Sequence, residues 1–191
     1  DEGVTFSFNS PDRHSDGDHT YGGFSKYYVC EDKYVLNMPA FADLAAAAPL
    51  LCAGITVYSP LKRWQAGAGK KVAILGIGGL GHVAIKIAKA MGADVTVLTT
   101  SPAKVDDAKR LSADHAVLTT DPAQMAAAAK SFDLILDTVS AGHDANPYLQ
   151  LLRYNGAMVL VGLPGKPFEI GAFNIVGGNK AFAGSNIGGI A

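Results

Sequence analysis

The 191-residue sequence contains few of the residues that mark several protein classes. It has 2 cysteines, Cys30 and Cys52, which are too few for a disulfide framework and match no zinc-finger spacing. No stretch reaches the roughly 18 consecutive apolar residues of a membrane helix, and the acidic start lacks the basic and apolar regions of a signal peptide. We therefore expect a cytoplasmic protein without a membrane partner.

Charge is sparse and balanced, with 17 acidic against 16 basic side chains and a net charge of −1. No basic run is present, which argues against a nucleic-acid partner because that affinity rests largely on clustered lysine and arginine. Glycine, by contrast, is abundant at 22 residues. Its frequency predicts backbone turns or close approaches between chain segments.

The hydrophobic pattern changes along the chain. Residues 4–8 and 22–29 are predicted as strands around an exposed loop, and residues 41–51 and 56–64 as helices separated near Gly54. Further strands are predicted at residues 72–75, 95–98, 116–118, 132–136, 157–161 and 181–183, with helices at residues 80–91, 103–111, 122–130 and 147–152. This alternation predicts an α/β fold with a doubly wound parallel sheet of the Rossmann type.

A glycine-rich sequence lies between the predicted strand 72–75 and helix 80–91. Gly76, Gly78 and Gly81 fit the pattern G-x-G-x-x-G in the strand-to-helix context that gives this pattern its meaning. Gly76 would allow a tight turn, Gly78 would let a pyrophosphate approach the backbone, and Gly81 would let the helix pack close to the strand. The alternative is a strand-to-helix turn that binds nothing.

The end of the next strand bears on which dinucleotide binds. An NAD site usually places a carboxylate there, whereas this chain has Thr99, Thr100 and Ser101, followed by Lys104. Hydroxyl and ammonium groups can donate to a 2′-phosphate that a carboxylate would repel, so NADP is favoured over NAD. The alternatives are that Ser101 caps a helix and that Lys104 lies on a solvated helix face.

Other reactive side chains have simpler interpretations when taken alone. Core packing is the commoner role for a lone cysteine in an apolar segment, and it is the expectation for Cys30 and the first interpretation of Cys52. No histidine has a partner at metal-ligand spacing. Asp137 ends the predicted strand 132–136 at the edge where such sheets bind ligands, but it also fits a turn cap.

With these residues in view, the sequence resembles zinc-dependent medium-chain alcohol dehydrogenases of the cinnamyl alcohol dehydrogenase type. Three segments carry the resemblance, namely 48–61, 76–82 and 184–189. The resemblance implies that Cys52 is the last protein ligand of a catalytic zinc, that Thr56 contacts the nicotinamide end of the cofactor, and that Thr100, Ser101 and Lys104 hold the 2′-phosphate. The expected cofactor-binding residues also include Gly76, Gly78, Gly79, Leu80, Gly81, Thr99, Thr138, Val139, Val161, Gly162, Ser185, Asn186 and Ile187.

The resemblance also implies an activity and a domain organisation. Residues 1–52 would be the remnant of a β-rich, GroES-like catalytic domain, and residues 53–191 an NADP-binding Rossmann domain. The family's remaining zinc ligands precede the region corresponding to Asp1, so we expect no complete catalytic set here and an incomplete chain. The expected parent is a homodimeric oxidoreductase that moves a hydride between NADP(H) and a small alcohol or aldehyde. The alternatives are a zinc-free NADPH quinone reductase and a non-catalytic nucleotide-binding or dimerisation module.

Overall fold

A computed structural model describes residues 7–12, 17–40 and 43–188. The chain divides into two compact units, Asp1–Ala42 and Asp43–Ala191. The boundary predicted between residues 52 and 53 thus lies within the second unit.

The first unit contains a short antiparallel hairpin of strands β1 (Phe8–Pro11) and β2 (His19–Tyr21). The expectation of a strand at residues 22–29 is wrong, because Gly22 adopts a φ of +56° and the chain turns there. Of the other predicted strand, residues 4–6 lie outside the described residues. Cys30 is exposed rather than in a core, since no described residue of this unit is buried.

The second unit alternates helices and parallel strands. Its elements are α1 (Leu44–Ala47), α2 (Leu50–Arg63), β3 (Lys71–Leu75), α3 (Gly79–Ala90), β4 (Asp94–Thr99), α4 (Ala103–Arg110), β5 (His115–Leu118), α5 (Pro122–Ala127), β6 (Phe132–Asp137), α6 (Asn146–Leu151), β7 (Leu152–Leu160), α7 (Ala172–Val176) and β8 (Ala181–Gly184). The strands form one six-stranded sheet in the order β5-β4-β3-β6-β7-β8, with every pairing parallel. This arrangement confirms the predicted doubly wound α/β fold.

The core lies on both faces of this sheet. Along β3, Val72 and Ile74 join one apolar cluster, while Ala73 and Leu75 join the other. Because successive side chains of a strand point to opposite faces, a strand covered on both sides needs a continuous apolar run. That requirement explains why the central strands were predictable from sequence.

Helix α2 runs without interruption through Gly54, where the sequence had suggested a break. One helical glycine costs only about 1 kcal/mol, and α2 recovers more by burying Val57 and Leu61 against α3. The uninterrupted helix also crosses the predicted domain boundary. By length and composition alone, the helical stretch Leu44–Arg63 could cross a membrane, a test that core helices of water-soluble proteins also pass.

Two further details differ from expectation. Helix α7 was not predicted, and Ser101 does not cap α4, because the N-cap position is Pro102 and no side chain bonds there. The Ser101 N–H instead donates to the Thr99 hydroxyl at 3.2 Å.

Candidate functional site

The carboxyl ends of five strands lie in a row along one edge of the sheet. Leu75 pairs with Leu98 on one side and with Asp137 on the other. Asp137 in turn pairs with Leu160, and Leu160 with Gly184. The chain leaves β3 toward β4 on one side, while β6 lies on the other, so the edge contains the topological switch point at which open α/β sheets bind ligands.

The segment Gly76–Gly81, hereafter the glycine loop, connects β3 to α3 at this switch point. Gly76 has a φ of +91°, and a Cβ at Gly81 would lie 2.1 Å from the Gly76 carbonyl oxygen. A Cβ at Gly78 or Gly79 would meet nothing within 4 Å, so the backbone there is open. Each of the three motif glycines thus has the geometry that its predicted role requires, and no side chain caps the N-terminus of the 12-residue helix α3.

The segment after β6 packs directly against the glycine loop. The Thr138 hydroxyl donates to the Leu75 carbonyl at 2.8 Å, and a Cβ at Gly76 would lie 2.9 Å from Val139 Cγ2. Gly162, after β7, lies close to the segment after β6, because a Cβ at Gly162 would lie 2.4 Å from the Val139 carbonyl oxygen. The structure therefore brings together the predicted residues Thr138, Val139, Val161 and Gly162 beside the glycine loop, and we call these four residues the wall.

A cleft of about 280 Å³ opens between the glycine loop and α4. We call it the charged cleft; its lining residues are Ile77, Gly78, His82, Lys104, Asp107, Arg110 and Leu111. Lys104 Nζ lies 3.1 Å from the Asp107 carboxylate, which also pairs with Arg110. Hydrogen bonds from Arg110 and Lys104 lower the pKa of Asp107, so this cluster carries two cations and one anion.

Sequence reasoning missed the apolar lining residues Ile77 and Leu111 and three polar members of the charged cleft, namely His82, Asp107 and Arg110. The signal was present in the spacing, because residues 104, 107 and 110 are three apart and share one helix face. Of the predicted residues after β4, Thr99 is buried, Thr100 is exposed and Ser101 is half-buried, and none of the three lines the charged cleft.

Asp137 and His143 form a second polar cluster behind Thr138 and Val139. The Asp137 carboxylate is 1% exposed, accepts the Val139 N–H at 3.0 Å and lies 2.9 Å from His143 Nε2. Burial raises the pKa of Asp137, an effect opposed by the Val139 N–H and by His143. Asp137 does cap a turn, as the alternative interpretation held, but its histidine partner was not foreseen.

Thr56 on α2 and residues 185–187 after β8 are the remaining predicted cofactor-binding residues. The Thr56 hydroxyl is buried in α2 and has no hydrogen-bond partner among the described residues. A Cβ at Gly188 would lie 2.9 Å from Ser59, which places the end of the segment 185–188 against α2. The Ser185 N–H donates to the Leu160 carbonyl at 2.9 Å, and Asn186 and Ile187 follow as exposed residues.

Cys52 lies on α2, one turn before Thr56, and its thiol is exposed and free. The exposure argues against the core-packing interpretation. In residues 7–12, 17–40 and 43–188, no cluster of three or more histidine, cysteine or acidic side chains is placed to hold a metal ion. A protein zinc site generally needs at least three such ligands, so the described residues do not by themselves fit a zinc ion.

Comparison with known proteins agrees with this geometry. Residues 79–191 match the family described as zinc-binding dehydrogenase. The chain is 53% identical over 188 residues to an NADP-dependent alcohol dehydrogenase C 1 of Mycolicibacterium smegmatis, covering 98% of this chain and 53% of the relative. It is 51% identical to the aldehyde reductase YahK of Escherichia coli, covering 98% and 54% of the two chains.

Solved structures give the same result. A cinnamyl alcohol dehydrogenase of Sorghum bicolor, SbCAD4, superposes with a TM-score of 0.88 at 47% identity, covering 94% of this chain and 52% of that one. A Helicobacter pylori enzyme titled CAD, complexed with NADP(H), gives 0.86 at 39% identity, covering 98% and 53%. The chain spans about half the length of the curated relatives it matches. These matches confirm the resemblance inferred from the sequence, and the chain belongs to the zinc-binding dehydrogenase family.

Proposed function

We propose that this chain is the NADP(H)-binding unit of an oxidoreductase that acts on a small alcohol or aldehyde. The observation that carries the proposal is the glycine loop, open at Gly78 and Gly79, beside a cleft that contains Lys104 and Arg110. Bound NADP(H) would supply the hydride donor or acceptor. The protein's contribution would be to hold and orient the cofactor.

The residues divide into two functional groups around the proposed cofactor. The N–H groups at the start of α3 would bind the diphosphate, since a helix N-terminus favours an anion. Lys104, helped by Thr100 and Ser101, would bind the 2′-phosphate at the mouth of the charged cleft. Arg110 joins this group because it lines the same cleft, and Asp107 holds both cations in place.

The nicotinamide half would lie along the wall, which follows β6 and β7, and along the segment that follows β8. That segment contributes Ser185, Asn186 and Ile187. The Thr56 hydroxyl, buried without a partner among the described residues, would donate to a polar group on the cofactor. An orphaned buried hydroxyl is costly, which supports the assignment of Thr56 to the cofactor site.

Cys52 is proposed as one ligand of a zinc ion whose other ligands lie outside the described residues. Its exposed, unbonded thiol and the zinc-binding family match support this role. A single thiolate does not define a catalytic zinc site.

The proposed substrate class follows the relatives, which are named as alcohol and aldehyde enzymes. Those names favour an alcohol or aldehyde over the quinone of the zinc-free alternative. We also propose that the protein has no nucleic-acid partner, which its near-zero net charge supports. We further propose a cytoplasmic location. Partition of the protein between membrane and supernatant fractions would test the location.

We further propose a homodimer. β8 is an edge strand of the sheet, and the neighbouring helix α7 exposes Phe173 and Val176. An unpaired edge next to exposed apolar side chains favours contact with a second copy. Light scattering after size-exclusion chromatography should give twice the chain mass; a monomer at all concentrations tested would refute the dimer.

The cofactor assignment is tested by calorimetric titration with NADPH and NADH at pH 7. We expect NADPH to bind more tightly, and we expect Lys104→Gln to weaken NADPH about tenfold while leaving NADH unchanged, because one charge-assisted hydrogen bond is lost. Arg110→Gln should act in the same direction with a smaller effect.

The matched control is Lys109→Gln, which removes the same charge from the same helix. Lys109 lies outside the charged cleft, and its side chain is 73% exposed. Equal or tighter binding of NADH by the unmodified chain would overturn the NADP assignment, whatever the variants do.

A further inference from the structure

The pair Asp137–His143 lies behind the cofactor wall and is unexplained by the proposed function. Asp137 ends β6, and its main-chain carbonyl accepts the N–H groups of Val161 and Gly162 at 2.9 and 3.0 Å. The segment between the two partners contains Thr138 and Val139, which contact the glycine loop. Any change in the pair therefore acts on the wall through a single short segment.

The hydrogen bonds of His143 determine how many protons the pair holds. Its Nδ1 lies 2.9 Å from the Ala141 carbonyl oxygen, which can only accept, so this contact is a hydrogen bond when Nδ1 carries a proton. Its Nε2 lies 2.9 Å from Asp137 Oδ2, and neither a carboxylate nor an imidazole lone pair can donate there. Both ring contacts are therefore hydrogen bonds at the same time only when a further proton lies between these two atoms, on the nitrogen or on the oxygen.

Aromatic side chains pack against the His143 ring. The imidazole packs edge-on against the rings of Phe168 and Tyr148, at centroid distances of 5.2 and 5.9 Å. His143 also lines a cleft of about 460 Å³, so its ring is reachable by water at one edge. A buried carboxylate beside a partly accessible imidazole can exchange its bridging proton with solvent.

We infer that Asp137 and His143 share one proton and that this shared proton positions Thr138 and Val139 against the glycine loop for cofactor binding. His143 is thus a positioning residue that acts through Asp137. The inference rests on the proposed function and assigns a proton-dependent wall to the same site. With the proton present, Asp137 ties Val139 to one side and His143 to the other.

Loss of the shared proton breaks one of these ties. If Nε2 becomes a bare lone pair, it faces the carboxylate at 2.9 Å and the two groups repel. If the ring instead keeps its proton on Nε2, the hydrogen bond from Nδ1 to Ala141 is lost. Either way the segment 138–143 loosens, so NADPH affinity should fall as the pH rises.

The other titratable groups near the pair are few. In the described residues, Lys166 lines the same cleft as His143, and the Tyr148 ring on α6 packs against the His143 ring. The Asp144 carboxylate accepts two hydrogen bonds from Asn146. The strands that flank Asp137 contribute Leu75 and Leu160. Variants confined to the pair separate its titration from that of these neighbours.

The test measures the NADPH dissociation constant of the full chain by calorimetry between pH 6.5 and 9.5. The unmodified chain should lose about fivefold in affinity across this range, the effect of one weakened hydrogen bond. Asp137→Asn should bind like the unmodified chain at pH 6.5 and show no loss at pH 9.5. Its amide oxygen still accepts from Val139, and its amide nitrogen donates to Nε2 through a hydrogen that is not lost in this pH range.

Two further variants complete the design. His143→Gln should also give a flat profile, with weaker binding at pH 6.5, and it serves where Asp137→Asn fails to fold. The control is His115→Gln on β5, which removes an exposed histidine outside the wall and should keep the fivefold dependence.

The outcomes are distinguishable from failure of the proposed function. No NADPH binding at any pH overturns both proposals. NADPH binding with the same pH dependence in the unmodified chain, Asp137→Asn and His143→Gln overturns the positioning role alone and leaves the pair as a structural contact. A flat profile in the unmodified chain has the same consequence.

Discussion

The two edges of the parallel sheet differ in whether their polar groups are already paired within the protein. At the edge formed by the amino ends of the strands, Asp133 accepts hydrogen bonds from Lys70 and the Lys71 N–H and forms an ion pair with Arg153. Asp114 accepts hydrogen bonds from Lys89 and the Val95 N–H. At the opposite edge, backbone at Gly78 and Gly79 lies open. At the first edge the charged side chains pair within the protein, whereas at the second edge the backbone of the glycine loop is left open for a ligand.

This contrast predicts separable effects on stability and binding. Substitutions at the paired edge should lower the free energy of unfolding and leave NADPH affinity unchanged. Substitutions at the open edge should change affinity, and they should change stability only where they force the backbone to move.

The largest effect is expected for Gly81→Ala at the open edge. The added Cβ would lie 2.1 Å from the Gly76 carbonyl oxygen, so the loop or the helix must shift. We expect a loss of about 2–4 kcal/mol in the free energy of unfolding, as for other overpacked sites. NADPH binding should weaken at least about a hundredfold, since roughly 1.4 kcal/mol corresponds to each factor of ten. Urea unfolding and calorimetric titration would measure the two effects.

Gly54→Ala is the matched control for this substitution. It also adds a Cβ to a helical glycine, but the nearest atom is Leu50 Cβ at an ordinary 3.6 Å. This variant should be as stable as the unmodified chain or more stable, with unchanged NADPH binding. Equal NADPH affinity in Gly81→Ala would show that the close approach at the glycine loop is not needed for binding.

The second prediction concerns Asp133→Asn at the paired edge. The carboxylate is 9% exposed, and its loss leaves Arg153, 2.7 Å away, and Lys70 without their anion. We expect about 2 kcal/mol of destabilisation, because a largely buried charged hydrogen-bond network is broken. NADPH affinity should change less than about twofold, within the error expected for independent sites.

Asp106→Asn provides a comparison at an exposed pair. Its partner Lys109 lies 3.9 Å away, and both side chains are largely exposed, so unfolding should change by less than about 0.5 kcal/mol. A large loss of NADPH affinity in Asp133→Asn would contradict the separation of the two edges.

The sheet was predictable because its central strands are continuous apolar runs between helix signals. Residues 72–75 and 132–136 are the clearest cases, and their structural counterparts β3 and β6 differ by at most one residue at each end. The first unit was not predictable in this way, because none of its described residues is buried and alternation there reflects no core. The break near Gly54 was wrong because local propensity was outweighed by burial of one helix face.

The site was predictable where a motif fixes backbone conformation, as at Gly76 and Gly81. It was less predictable where side chains meet across a turn. His143 had no partner at metal-ligand spacing, yet the loop returns it to Asp137, six residues earlier, and sequence spacing alone does not reveal that return. Arg110 was missed for a simpler reason: the three-residue spacing along the helix was not followed from Lys104 to residues 107 and 110.

The smallest of the three main effects, after those of Gly81→Ala and Asp133→Asn, is expected for Asp114→Asn, and it depends on pH. A hydrogen bond from Lys89 and then one from the Val95 N–H lower the pKa of Asp114 below its usual range. A carboxylate whose pKa is lower in the folded state stabilises the fold above its unfolded pKa of about 3.9, and this contribution disappears as the pH falls through the folded value. Because the side chain is about one-third exposed, solvent screening reduces the effect, and we expect about 1 kcal/mol at pH 7.

Urea unfolding of Asp114→Asn and the unmodified chain at pH 7, 5 and 3 would test this prediction. The difference in free energy of unfolding should be nearly the same at pH 7 and 5 and should shrink at pH 3, since the unmodified carboxylate then begins to take up a proton in the folded state as well. A difference that grows toward acid would mean that the interaction with Lys89 is not what stabilises β4 and β5 at this edge. The NADPH dissociation constant at pH 7 should be the same for both proteins, because Asp114 and its partners lie at the edge opposite the glycine loop.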